Sequence, residues 1–138
     1  MNSDTYRDAV WPFLAETTPQ VTEVLDRLHR AATAEGVSID GITVTVFVDQ
    51  DGEGPFDVWA AFEGRDAFTL DRRFDDDRHL FGVEWGEQGW EPDVPPRPRA
   101  WSRDEFEEAV LEVVTEWLQP LTPKDGPDDF WRIEAAFC

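Results

Sequence analysis

The sequence predicts a two-layer α+β fold: an antiparallel meander of four to five strands, with about three helices packed mainly on one face. Three observations predict it. Apolar residues recur at helical spacing up to about residue 35, alternate with period two between residues 42 and 85, and return to helical spacing after residue 102. The strand-like runs are joined by short segments rich in Gly and Asp, which favours hairpins over long crossovers. Seven Trp and ten Phe in 138 residues can form one core without a disulfide or a metal. Residues 1–138 therefore read as a single acidic domain.

The first region, about residues 4–35, is helical. Ser3 suits an N-cap, with Asp4 and Asp8 near the positive end of the helix dipole. Tyr6, Val10, Phe13 and Leu14 share a stripe, and Pro12 within it predicts a kink or two short pieces. Thr18 and Pro19 read as the cap and first residue of a second helix, with Val21, Val24, Leu25, Leu28 and Ala32 buried. Gly36 supplies a left-handed end.

Strands are expected over about 39–85. Ile42, Val44, Val46 and Val48 point one way, while Thr43, Thr45 and Phe47 point the other. Phe56, Val58, Ala60 and Phe62 alternate with Asp57, Trp59 and Glu63 in the second strand. A third strand is expected to carry Phe68, Leu70 and Phe74, and a fourth runs from Leu80 to Trp85. Residues 86–101 form a Pro- and Gly-rich connector that should be extended. Ser102 and Glu105 make a capping box for a helix over about 103–118, with Phe106, Val110, Val113, Val114 and Trp117 buried. A terminal strand is expected over about 130–137.

Charge is the most distinctive chemical property. The net charge is −19, from 31 acidic and 12 basic residues, and Lys124 is the single lysine. Nucleic-acid binding is disfavoured, because neutralising phosphates needs a basic surface. Anionic membrane surfaces are disfavoured for the same reason, and no apolar run approaches the ~20 residues that span a bilayer. Cys138 is the single cysteine, so no intramolecular disulfide can form. With no basic, apolar leader after Met1, the chain reads as cytoplasmic.

The acidic helix carries Asp104, Glu105, Glu107, Glu108, Glu112 and Glu116. Its like-charge pairs at i,i+4 each oppose helix formation by ~0.2–0.5 kcal/mol. Such a ridge can meet a basic protein; equally, it can be a solvated face in a chain adapted for solubility or salt. Glu105, Glu108, Glu112 and Glu116 are the candidate partner-binding carboxylates, with Trp59 and Phe47 as aromatic anchors on an uncovered strand face. Trp90 and Trp101, folded across that face, would instead complete the core.

Metal chemistry has one weak lead. Asp49, Asp51, Glu53 and Gly54 follow the first half of a calcium loop, and Asp57 sits where a further ligand belongs. The bidentate Glu of the last position is replaced by Ala60. Asp75, Asp76, Asp77 and His79 cluster in sequence without a second ligand group, and read as a solvated turn. His29 reads as lying off the apolar stripe of its helix.

Catalytic residues are not expected. Cys138 is terminal and has no sequence-local base, and of the serines Ser3, Ser38 and Ser102 two suit helix caps. No phosphate-binding glycine loop is present. The functional expectation is a non-enzymatic, cofactor-free module that binds or inhibits a basic partner. Small acidic proteins that protect bacteria from basic toxins share this size and charge, which is a likeness of composition alone. One alternative is an accessory domain whose acidity serves solubility. The other is a small enzyme, metal-binding or ligand-binding domain, with Asp71, Glu84, Trp85 and Trp90 around a pocket.

Overall fold

The computed structural model describes residues 3–48, 56–82, 84–86, 89–91, 100–123 and 130–135. In chain order the elements are α1 (Ser3–Ala32), β1 (Gly41–Val48), β2 (Phe56–Glu63), α2 (Ala67–Arg73), β3 (His79–Gly82), β4 (Glu84–Gly86), β5 (Gly89–Glu91), α3 (Arg103–Leu118) and β6 (Trp131–Ala135). This is an α+β architecture: α1 and α3 pack together on one face of a four-stranded sheet.

Alternation in β1 and β2 sets the core. Ile42, Val44, Val46, Val48, Phe56, Val58, Ala60 and Phe62 are each 4% exposed or less, whereas Thr45, Phe47, Trp59 and Ala61 are half-buried on the opposite face. The two strands pair antiparallel in a register that keeps each set on its own side. Tyr6 of α1 meets Phe106 of α3 edge-on at 5.4 Å, and Trp117 of α3 reaches Phe81 of β3. Burial pushes the Tyr6 phenol far above its ordinary pKa.

The expected all-antiparallel meander is corrected. The strand order is β3-β2-β1-β6, and β6 lies parallel to β1 at the edge, so the sheet is mixed. The reason is the route of the chain. β3 and β6 run the same way on opposite edges, and parallel strands need a long crossover, which α3 supplies. The expected strand at Phe68–Phe74 is helix α2. Leu70 and Phe74, four residues apart, turn inward, and Phe74 packs 6.0 Å from Phe62 while Phe68 faces solvent. Alternation of Phe68 and Leu70 had imitated a strand. The fourth strand is divided between β3 and β4, and β4 pairs antiparallel with β5, a strand inside the expected connector, as a separate two-stranded sheet.

Helix α1 is continuous through Pro12 and Pro19. Both prolines are exposed, as are Asp8 and Ala15 four residues before them. The carbonyls that lose an N–H partner therefore face water, and the helix need not break. Thr18 is an interior residue, not a cap. Its hydroxyl donates to the Leu14 carbonyl and accepts the Trp117 indole N–H at 2.9 Å, joining α1 to α3. Gly36 has a left-handed φ of +83°, but α1 ends at Ala32, so the expected cap is corrected: the glycine lies in a turn beyond the helix, where the Val37 N–H donates to the Ala34 carbonyl. Ser102 caps α3, accepting the Glu105 N–H at 3.1 Å. The Ser3 side chain lies outside the described residues.

His29 was expected off the apolar stripe, yet it is buried. Its Nδ1 accepts the Trp131 indole N–H at 3.2 Å, and Phe130 stands edge-on to its ring. Indole is only a donor, so Nδ1 carries no proton here. The contact ties the edge strand β6 to α1.

The Thr18–Trp117 bond yields a prediction. Thr18→Val keeps the shape but leaves the indole N–H, on a side chain 2% exposed, without its acceptor. Chemical denaturation should show a loss of about 1–3 kcal/mol; an unchanged midpoint would mean that the bond does not secure the helix pair.

Candidate functional site

Two surfaces carry the polar chemistry, and they lie on opposite sides of the molecule. The first is the sheet face away from α1 and α3. Thr45 and Phe47 of β1, Asp57, Trp59 and Ala61 of β2, and Arg132 and Glu134 of β6 all point to it, as the pairing registers require. β3 contributes through a bulge: Trp59 pairs with His79 while Val58 pairs with Phe81, leaving Leu80 as the extra residue. Leu80 and Phe81 are both buried, and His79 and Gly82 fall on the outer side.

This bulge assembles a fixed cluster. The His79 ring stacks on Trp59 at 4.4 Å and 6°, and its Nε2 lies 3.0 Å from Asp57 Oδ1. Gly82 provides the room. A Cβ there would overlap the His79 ring and lie 2.7 Å from Asp57 Oδ1. Arg78 sits at the side, 5.9 Å from the Trp59 ring centre. Arg78 also completes the β2 edge beyond β3. Its backbone carbonyl accepts the Ala60 N–H, its Nη1–H donates to the Ala60 carbonyl, and Asp71 accepts the Phe62 N–H at 2.9 Å. These contacts occupy an edge that another strand would otherwise join.

A depression of about 230 Å³ opens beside the cluster, lined by Thr45, Phe47, Trp59, Ala60, Ala61 and Arg78. Further along, Arg132 of β6 and Glu63 of β2 form an ion pair. It must cross β1 to do so, and Thr43 lies buried between those strands with its hydroxyl unpartnered. Trp101 does not cover this face; its ring is 5.7 Å from Tyr6, on the helix side.

The second surface is α3. Asp104, Glu105, Glu108, Glu112 and Glu116 are all exposed, but they are not equivalent. Glu105 belongs to the cap, its Oε1 lying 3.3 Å from the Ser102 hydroxyl. Glu116 is held by Arg7 of α1, which donates Nε–H to Oε2 at 2.7 Å and Nη2–H to Oε1 at 2.6 Å. This bidentate bond lowers the Glu116 pKa and raises that of Arg7. Asp104, Glu108 and Glu112 make no ion pair among the described residues. The structure therefore brings Trp59 and Phe47 together, and Glu108 and Glu112 together, but places the aromatics and the carboxylates on different faces.

Asp49, Asp51 and Glu53 lie outside the described residues, as do Cys138, Lys124 and the side chains of Glu84, Trp85 and Trp90. Asp57, the remaining candidate calcium ligand, is buried and directed at His79. Among the described residues no group of three or more His, Cys, Asp or Glu is arranged to hold a metal ion. The run after α2 is dispersed: Asp75 bonds Arg78 and Asp77 bonds Arg27. Asp71, a candidate pocket residue, is engaged by the Phe62 N–H and Arg78. Sequence reasoning missed the pairing of His79 with Asp57. Nothing in sequence spacing joins residues 22 positions apart; only the bulge does.

No helix among the described residues is long and apolar enough to cross a membrane. A family model described as a family of unknown function, DUF6389, matches residues 1–135. No curated protein and no solved structure matches the chain.

Two predictions arise from this geometry. Gly82→Ala should displace His79 from Asp57 and destabilise the protein by about 1–3 kcal/mol. Denaturation and the nuclear Overhauser contact between the His79 and Trp59 rings report it, and retention of both would show that the ring is not seated against Gly82. The Glu116–Arg7 pair sets a pH dependence. Because the folded-state pKa of Glu116 is lowered, its contribution is complete above the ordinary glutamate value of about 4.3 and fades as pH falls through the folded value. The difference in urea midpoint between wild type and Glu116→Gln should be largest near neutral pH and close in acid; a difference independent of pH would exclude the pair as its source.

Proposed function

The chain belongs to the DUF6389 family, and we propose that this member is a non-enzymatic, cytoplasmic protein-binding module, inhibitor-like in mode, for a basic protein partner. The observation that carries this reading is the run of uncompensated carboxylates on α3. Arg7 neutralises Glu116 and the cap engages Glu105, so Asp104, Glu107, Glu108 and Glu112 are left, and all but the half-buried Glu107 are exposed to an external cation. Within a chain of net charge −19, such a ridge steers a basic partner into encounter and rejects anionic ones.

The open sheet face supports binding over catalysis. Asp57 and His79 form a pair with the geometry of an oriented base, but neither Ser38 nor Ser102 lines the depression beside it. The depression at Trp59 is about 230 Å³, below the ~300–1,000 Å³ of pockets for drug-sized ligands. Its size suits a single side chain.

The test is capture from a lysate of the source organism on the immobilised full chain, at low and at moderate salt. One basic protein should be retained, released by salt, and lost with the double variant Glu108→Gln/Glu112→Gln. If nothing basic is retained, or if the double variant retains it equally, the ridge is a solvated face and the proposal fails.

A further inference from the structure

The positive charge of this acidic chain is not spread evenly. Arg65, Arg72, Arg73 and Arg78 fall within a short stretch around α2. Arg78 is committed to Asp71, Asp75 and the Ala60 carbonyl. Arg65, Arg72 and Arg73 are exposed and make no ion pair among the described residues. Elsewhere, Arg7, Arg27, Arg30 and Arg132 are each paired with a carboxylate.

The acids near α2 are largely occupied. Asp66 accepts the Ser38 N–H at 2.7 Å, Asp71 accepts the Phe62 N–H, Asp75 meets Arg78, and Asp77 meets Arg27. Asp76 is the exposed exception. One of the arginines lies beside an open apolar side chain: Phe68 is 72% exposed and is the one large hydrophobic residue left open among the described residues. The Arg72 guanidinium lies 5.7 Å from the Phe68 ring centre, and Arg73 lies 5.1 Å from that of Phe74. At about 100° per residue, Phe68 and Arg72 lie about 40° apart and about 160° from the buried Leu70, with Thr69 and Arg73 along the exposed flank of α2. Solvation alone would be served by any polar residue at position 68.

We propose that this exposed side of α2 is a docking surface for an acidic segment of a partner protein, one that presents carboxylates to Arg65, Arg72 and Arg73 and an apolar side chain to Phe68. Charge complementarity selects the occupant. Arginine forks match carboxylates bidentately, and a stacked guanidinium is already oriented. At physiological salt the screening length is about 8 Å, so a short segment feels these arginines more than the distant carboxylates of α3. An extended polyanion does not fit as well. Duplex DNA carries a charge about every 1.7 Å and would lay most of them against the acidic remainder of the molecule. An anionic membrane plane meets the same objection.

The full chain should be titrated against a short fluorescein-labelled peptide with glutamates on both sides of a leucine, read by fluorescence polarisation. Binding is expected to weaken with salt and to fall about tenfold or more with Arg72→Ala/Arg73→Ala. Phe68→Ser should also weaken it, and Arg72→Lys should have a smaller effect because it keeps charge but loses the fork. Glu108→Gln/Glu112→Gln, on the other surface, should leave it unchanged, which separates this proposal from the function proposed above. All these positions are exposed, and matching thermal melts confirm that the variants fold. Equal binding of the glutamine version of the peptide, or no loss with either the Arg or the Phe68 variant, overturns the proposal. So does tighter, Arg72-dependent binding of single-stranded DNA or phosphatidylserine vesicles. Arg72-dependent self-association in sedimentation would overturn it in favour of a second copy of this chain.

Discussion

Burial of one face of β1 is the constraint on which the rest of the structure depends. Ile42, Val44, Val46 and Val48 are almost completely excluded from water, and each fully buried side chain of this kind contributes on the order of 1.5–3 kcal/mol. β1 is central, with β2 on one side and β6 on the other. A slip of one residue in either ladder would turn the valines outward and bring Thr45 and Phe47 in. The same register that seats the core therefore also lines up Thr45, Phe47, Trp59 and Ala61 on the opposite side. The depression there is a geometric consequence of where the core lies.

Polar groups then resolve what hydrophobic burial leaves open. The indole of Trp117 bonds Thr18, and that of Trp131 bonds His29, so two large aromatic side chains fix the seating of α3 and β6 against α1. Arg78 and Asp71 complete the free end of the β2 edge with side chains where no strand follows. These bonds are individually modest, about 1 kcal/mol net, but a missing partner for a buried donor is more expensive than the bond is favourable. That asymmetry makes them determinants of geometry more than of total stability.

Charge is partitioned by the fold. Arginines that reach across elements neutralise particular acids: Arg7 reaches from α1 to Glu116, Arg27 from α1 to Asp77, and Arg132 from β6 to Glu63. Among the described residues, unpaired exposed carboxylates remain along α3 and also elsewhere, at Asp4, Glu16, Glu23, Glu35, Asp40, Asp76 and Glu134, while unpaired exposed arginines lie in and beside α2, at Arg65, Arg72 and Arg73.

Residue periodicity by itself determined the burial pattern of β1, β2 and α3, the Ser102 cap and the left-handed conformation of Gly36, because each depends on neighbours within a few positions. It misjudged α2, where the alternation of Phe68 and Leu70 is equally compatible with a helix that buries Leu70 and Phe74. It misjudged the prolines of α1, since whether a proline breaks a helix depends on whether the freed carbonyls face water. Of the candidate site, the sequence located the acidic residues and the two aromatics. Only the tertiary structure decided that Arg7 takes Glu116, that the aromatics lie on the far side of the sheet from the ridge, and that His79 meets Asp57 and Trp59. Those contacts join residues far apart in the chain, and their geometry follows from a helical crossover and one bulge, neither of which has a local sequence signature.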